Sequence, residues 1–366
     1  MSSLCLRMEE CDDQLKMVWS DEQSSWNPAH YFVHKGFVRQ ASESVRKVLD
    51  EISADIRREG LKNPILHRQW LPKLADSGHV LATQIFSPID YGKGTAEKVR
   101  EIIATAAEPM NLTVFTDGSV HVPWAFLYRG DPLNFQIADL PDETQITDFS
   151  DFWLGLFKIN VRYCVTDRLH SRRPTRDTFR FLYALNKELF RDALTLLPEE
   201  EQGICNRLLA EEVGEVTTWT DCREKWRSIQ NNNSVIYIFG HSEGDDFVLE
   251  NEEHITAAAF NTLFRKADGV SDTVCVLNGC RTGVGPLFDS FLAATSGPGF
   301  HGFIGTEAQV ANNCAASYGI AFMKRLCENG DSVGEAFESL QMEKFPTSLF
   351  YTCYANPDFR VPKHLE

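Results

Sequence analysis

The chain has 366 residues, 43% hydrophobic and 24% charged, which suits a globular protein with one large core or two smaller ones. Against 36 Lys and Arg stand 52 Asp and Glu, a net charge of −16 that excludes unaided binding to DNA or RNA through a basic surface. No apolar run reaches the roughly 18 residues of a membrane span, and the first residues carry no apolar segment of signal-peptide length, so a cytoplasmic chain without membrane contact is expected.

Residues 1–25 are polar and mildly acidic and are expected to lack regular structure. From Pro28 to about Pro109 the pattern is largely helical. Ala41–Arg58 places Val45, Val48, Leu49 and Ile52 on one helical face, and Gly94–Ala107 does the same with Val99, Ile102 and Ile103. Leu112–Thr116 and Val120–Tyr128 read as a hairpin around Asp117-Gly118. Lys158–Val165 reads as a further strand.

From Phe179 onward, strands and helices alternate. The expected strands are Phe179–Leu185, Glu215–Thr220, Val235–Phe239, Thr273–Leu277 and Gly302–Gly305, with a final pair within Ser348–Val361. The expected helices are Glu200–Glu212, Cys222–Gln230, Ile255–Lys266, Pro286–Ala294, Cys314–Cys327 and Val333–Lys344. Such alternation predicts an α/β fold whose mainly parallel sheet is flanked by helices. The chain thus divides into a mostly helical region (1–105), a strand-rich scaffold (106–175) and an α/β domain (176–366).

Two strands in the last region end in reactive side chains. Ser234-Val-Ile-Tyr-Ile-Phe-Gly leads into His241, and Asp272-Thr-Val-Cys-Val-Leu-Asn-Gly leads into Cys280. Unbroken apolar runs of this length mark strands buried on both faces. In open α/β sheets chemistry collects beyond the carboxyl ends of the strands. On neighbouring strands, about 5 Å apart, the two side chains would meet as a thiol and its base. Glycines at 240, 244, 279 and 283 allow sharp turns that expose main-chain N–H groups. The amides of Cys280 and Ser242 are therefore candidates for an oxyanion hole. Such chemistry calls for no metal and no organic cofactor. None of the 10 cysteines forms a C-x-x-C pair, so neither a zinc site nor a disulfide framework is indicated.

The motif Asn278-Gly-Cys280-Arg-Thr-Gly283 resembles the cysteine motif of caspase-like proteases, and more closely that of the CHAT protease family, relatives of caspases and separase. In that family one strand ends in His-Gly and a later one in Cys. Gly305-Thr-Glu-Ala-Gln-Val310-Ala-Asn312 is similar to the strand that follows the cysteine. Val122-Pro-Trp-Ala-Phe-Leu-Tyr128 resembles an upstream Pro-Trp-Glu-Leu-Leu segment, and Tyr354-Ala-Asn-Pro-Asp-Phe-Arg-Val361 resembles the closing strand. The likeness runs from about residue 110 to the end. It implies a caspase-like sheet and a regulated cysteine endopeptidase, with Cys280 as nucleophile and His241 as general acid/base. It also implies a dedicated protein substrate, an activating protein or complex, and in bacteria a role in defence systems. A catalytically silent module that binds a partner is the alternative.

Three positions depart from the family: Ser242 replaces Gly, Ala125 replaces Glu, and Asn312 replaces the aspartate of relatives that cut after a basic residue. Asn312 and Glu307 are accordingly the candidates for the pocket that reads the residue before the cut. Low resting activity is expected, with Ser242–Asp246 or Arg281–Leu287 misplaced until a partner binds. Weaker signals carry less. Gly297-Pro-Gly-Phe-His-Gly302 follows a helix and precedes a strand, the reverse of a dinucleotide turn. Asp245 and Asp246 read as a solvated loop rather than a metal site. Arg168-Leu-His-Ser-Arg-Arg-Pro reads as a surface loop.

Overall fold

The computed structural model describes residues 3–21, 28–60, 64–89, 91–116, 120–132, 140–141, 144–164, 179–210, 215–216, 218, 220–221, 224–225, 233–242, 246–249, 253–265, 273–284, 291 and 300–361. The chain divides into two compact units, Met1–Asp167 and Arg168–Glu366.

The first unit is built on a five-stranded sheet: β1 (Ser3–Cys11), β2 (Gln14–Asp21), β3 (Ala29–His34), β4 (Met110–Thr116) and β5 (Ile159–Cys164), in the order β3-β2-β1-β4-β5. The N-terminus therefore differs from expectation, because residues 3–21 form an antiparallel hairpin in which Leu4 faces Asp21 and Cys11 faces Gln14. The signal is a period of two: Leu4, Leu6 and Met8 are buried, as are Leu15, Met17 and Trp19, while the residues between them are not. Polar residues on the other face hide this pattern from a composition-based reading.

Since β1 pairs in parallel with β4, the sheet runs across the boundary expected near residue 105. The helices α1 (Lys35–Glu59), α2 (Pro64–Ile85) and α3 (Lys93–Thr105) follow the first three strands. In α1, Val38, Ala41, Val45, Leu49, Ile52 and Ile56 are buried at helical spacing. Val120–Tyr128 does not pair with β4 as the expected hairpin requires, and the turn expected at Asp117-Gly118 lies outside the described residues. Both edges of β4 are taken by parallel neighbours, β1 and β5, so no antiparallel return strand has a place. Val120–Tyr128 instead passes through a 3-10 turn at Trp124–Phe126, whose Trp124 and Phe126 are buried. A short helix α4 (Leu154–Phe157) leads into β5.

The second unit holds a six-stranded sheet of β6 (Phe179–Leu185), β7 (Glu215–Val216), β8 (Asn233–Phe239), β12 (Thr273–Asn278), β13 (Phe300–Thr306) and β14 (Tyr351–Cys353), in the order β14-β13-β12-β8-β6-β7. All its pairings are parallel except that of β13 with β14. Between β8 and β12 lie a small antiparallel sheet of β9 (His241–Ser242), β10 (Asp246–Val248) and β11 (His254–Thr256), and the helix α7 (Ala257–Arg265). The remaining helices are α5 (Lys187–Thr195), α6 (Glu199–Ala210), α8 (Asn312–Lys324) and α9 (Val333–Glu343), with a π-helical turn at Arg325–Asn329. The Ser332 and Glu335 side chains form a capping box that starts α9.

The unit is an α/β sheet flanked by helices, as its alternating pattern predicts. Of the expected final strand pair only β14 forms, preceded by a 3-10 turn at Thr347–Phe350. Most of the helix expected at Pro286–Ala294 and most of that at Cys222–Gln230 lie outside the described residues.

Candidate active site at the ends of two parallel strands

Every residue of β12 is buried, as are Val235–Phe239 of β8, because both strands lie inside the sheet. They are direct parallel neighbours, with Thr273 opposite Ser234 and Asn278 opposite Phe239. At the amino ends the Ser234 and Thr273 hydroxyls share a hydrogen bond of 2.7 Å. At the carboxyl ends the Gly240 amide donates to the Asn278 carbonyl at 3.4 Å. His241 and Cys280 each follow two residues after the last register pair. The two residues thus follow adjacent strand ends at the same sequence offset.

Gly279 makes this juxtaposition possible. A Cβ there would lie 2.5 Å from Cε1 of Phe247, 2.8 Å from Cβ of Ser242 and 3.0 Å from the Gly240 oxygen. The turn that carries Cys280 thus packs directly on the turn that carries His241, with no room for a side chain between them.

Beyond Cys280 the chain is tightly held. Arg281 has φ 58°, a left-handed conformation that costs a non-glycine residue roughly 1–2 kcal/mol and gathers at functional turns. Its amide donates to the Ala308 carbonyl at 3.2 Å, the Gly283 amide to the Thr306 carbonyl at 2.8 Å, and the Val284 amide to the Arg281 carbonyl at 3.0 Å. Thr282 Oγ1 donates to the Leu277 carbonyl at 3.0 Å and accepts from the Thr306 amide at 2.9 Å. The hydroxyl of Thr306 donates to the Gly279 carbonyl at 2.5 Å. The expected misplacement of this loop is therefore not seen over Arg281–Val284. Residues 285–287 and 243–245 lie outside the described residues.

Cys280 is half-buried, and His241 is exposed at the start of β9, opposite Val248. The thiol lies 3.9 Å from the Val310 carbonyl, within the range of a weak S–H donor. No thiol–imidazole hydrogen bond occurs among the described residues. The Cys280 amide makes none of the described main-chain hydrogen bonds, as an oxyanion donor requires. Ser242 is buried and faces Phe247 across the small sheet.

The two pocket candidates separate. Asn312 is exposed at the first position of α8. Glu307 is 0% exposed, its carboxylate bonded by the Tyr354 hydroxyl and its amide donating to the Phe350 carbonyl at 2.8 Å. It presents no surface to a ligand, which corrects its placement as a pocket residue. Asp246 opens β10 and its carboxylate lies 2.5 Å from Nδ1 of His254, so it belongs to a strand rather than a loop.

Sequence reading missed two features. His241, Val248 and His254 stand opposite one another across β9, β10 and β11 and so share a face of the small sheet. Beneath Cys280, Asn278 lies in a buried polar cluster with Tyr237 and Tyr351. A tyrosine inside a run buried on both faces was the available signal, because a buried phenol needs a hydrogen-bond partner.

No protein-family model matches the chain, and no curated protein matches it.

Proposed function

We propose that this chain is a cysteine endopeptidase of the CHAT, caspase-like type, working through a His241–Cys280 dyad. The supporting observation is the parallel pairing of β8 with β12, whose adjacent carboxyl ends lead into His241 and Cys280. His241 takes the thiol proton, and the Cys280 sulfur attacks the peptide carbonyl carbon. The carbonyl π electrons move onto oxygen, and the resulting oxyanion accepts a hydrogen bond from the Cys280 amide, with the Ser242 amide as second candidate. As the oxyanion collapses, the C–N bond breaks and the imidazolium gives its proton to the leaving amine. Water, deprotonated by His241, then attacks the thioester and releases the acid and the thiol.

The substrate on this reading is a specific partner protein, and a protein or complex switches the enzyme on. In bacteria such an enzyme serves antiviral defence. We place it in the cytoplasm, where the eight cysteines whose side chains are described, all free thiols, stay reduced. No described helix is long and apolar enough to cross a membrane.

A silent partner-binding module is the second reading. The observation in its favour is that the thiol contacts the Val310 carbonyl and not the imidazole. A peptide-library cleavage assay on the full chain, run with and without a lysate as source of the activator, separates the two. Cleavage lost in Cys280→Ala and in His241→Ala, each with stability changed by about 1 kcal/mol or less, supports the peptidase. Cleavage retained in either variant refutes the dyad.

A further inference from the structure

Asn278 is 1% exposed, and its side chain reaches three different elements. Its Nδ2 donates to the Tyr237 hydroxyl on β8 at 3.0 Å and to the Ala315 carbonyl on α8 at 2.6 Å. Its Oδ1 accepts from the Tyr351 hydroxyl on β14 at 2.5 Å. Rotating the amide by half a turn would set its oxygen against the Ala315 carbonyl, so only one orientation satisfies all three partners. The main-chain carbonyl of the same residue receives the Gly240 amide. One residue thus stands two positions before Cys280 and is hydrogen-bonded to the residue immediately before His241.

The helix above is shaped around this cluster. A Cβ on Gly319 would lie 2.5 Å from the Tyr237 hydroxyl and 2.7 Å from Nδ2 of Asn278. Glycine inside a helix costs about 1 kcal/mol relative to alanine, and here that cost leaves room for polar groups. Stability alone does not call for them, since a leucine at the end of a buried strand would serve the core without desolvating an amide. What a fully satisfied polar cluster adds is a unique orientation.

We propose that Asn278 is a positioning residue for the His241–Cys280 pair, held in register by Tyr237, Tyr351 and the Ala315 carbonyl; this inference rests on the peptidase reading above. Asn278 touches neither substrate nor reacting atoms. It fixes the two turns that carry them. Burial, the largest effect, holds the Tyr351 phenol well above its usual range, so it remains a protonated donor wherever the thiol is active.

The test is the rate of Cys280 alkylation by iodoacetamide, read by mass spectrometry on the full chain across the acidic, neutral and alkaline range. Wild type, His241→Ala, Tyr351→Phe, Tyr237→Phe and Asn278→Asp are compared, with a thermal midpoint for each. Besides the inflection from the thiol's own ionisation, the wild-type profile should show a second one on the acidic side that His241→Ala removes. Tyr351→Phe deletes one hydroxyl and keeps the ring, so it tests the idea even if Asn278→Asp does not fold. It should shift or abolish that inflection and slow neutral-pH alkylation on the order of 10-fold. An inflection present in the wild type and unmoved in both Tyr→Phe variants overturns the positioning role while leaving the dyad intact. A lowered midpoint with an unmoved inflection marks a structural role only and overturns it equally. A wild-type profile with the thiol's own inflection alone refutes the dyad, and this inference falls with it.

Discussion

The Gly240 amide donates to the Asn278 carbonyl at 3.4 Å, joining the residue before His241 to the strand end that leads into Cys280. This bond, with the parallel register behind it, brings two separate sequence motifs side by side. The contact depends on Gly279, where an added Cβ would fall within 2.8 Å of both Phe247 and Ser242.

Gly279→Ala should therefore harm both fold and site. Overpacking of this kind costs about 1–3 kcal/mol, and relief comes only by parting the two turns. Urea unfolding should show the loss, and Cys280 should lose its imidazole-dependent reactivity. Unchanged unfolding and reactivity together would mean that the turns are not in contact.

The residue before the cut should be uncharged or small. Asn312 brings no counter-charge to an arginine or lysine, and Glu307 is sealed beneath Tyr354. Peptide-library profiling should return neutral residues at this position, in the wild type and in Glu307→Gln alike. A strict Arg or Lys preference that Glu307→Gln abolishes would reverse the assignment.

The amino-terminal hairpin should be essential to the first unit. Leu6 is 0% exposed in β1, a strand flanked by β2 and β4. Leu6→Ala should destabilise this unit by roughly 2–5 kcal/mol. A loss within experimental error would return residues 3–21 to the status of a dispensable tail.

Stability should fall under alkaline conditions. Burial pushes the Cys205 thiol from 9.0 up to about 12, and the buried Tyr31 and Tyr237 phenols also move up, again chiefly by burial. The folded chain then keeps a thiol proton that the unfolded chain releases. The stabilisation from Cys205 is complete below 9.0 and is lost as pH rises toward about 12. Each such proton contributes a slope of up to about 1.4 kcal/mol per pH unit. Denaturant midpoints across this range, with Cys205→Ala as control, should show a decline that the variant lessens. A flat profile would count against deep burial of the thiol.

The second unit was the more legible from sequence because its strands are buried on both faces. Val235–Phe239 and Thr273–Leu277 read as continuous apolar runs, and the glycine after each reactive strand marks its end. The first unit was harder to read because its hairpin is half polar. Leu4, Leu6 and Met8 alternate with Cys5, Arg7 and Glu9, and a tally of composition averages the two faces into a nondescript polar tail. The Asp117-Gly118 pair misled for another reason: turn chemistry is local, whereas the fate of β4 was decided by β1, which lies about a hundred residues away in sequence. At the site, the positions of His241 and Cys280 follow from strand ends, but the Asn278 cluster draws partners from β8, α8 and β14. No local pattern could have assembled it.

The most direct test of the account is labelling of the intact chain with a peptidyl acyloxymethyl ketone, read by intact mass and site mapping. Exposed Cys11 and half-buried Cys5 are internal controls for non-specific thiol reactivity. The account predicts one adduct, on Cys280, absent in Cys280→Ala and strongly reduced in His241→Ala. Adducts spread over Cys11 and Cys5, or a Cys280 adduct indifferent to His241→Ala, would contradict it.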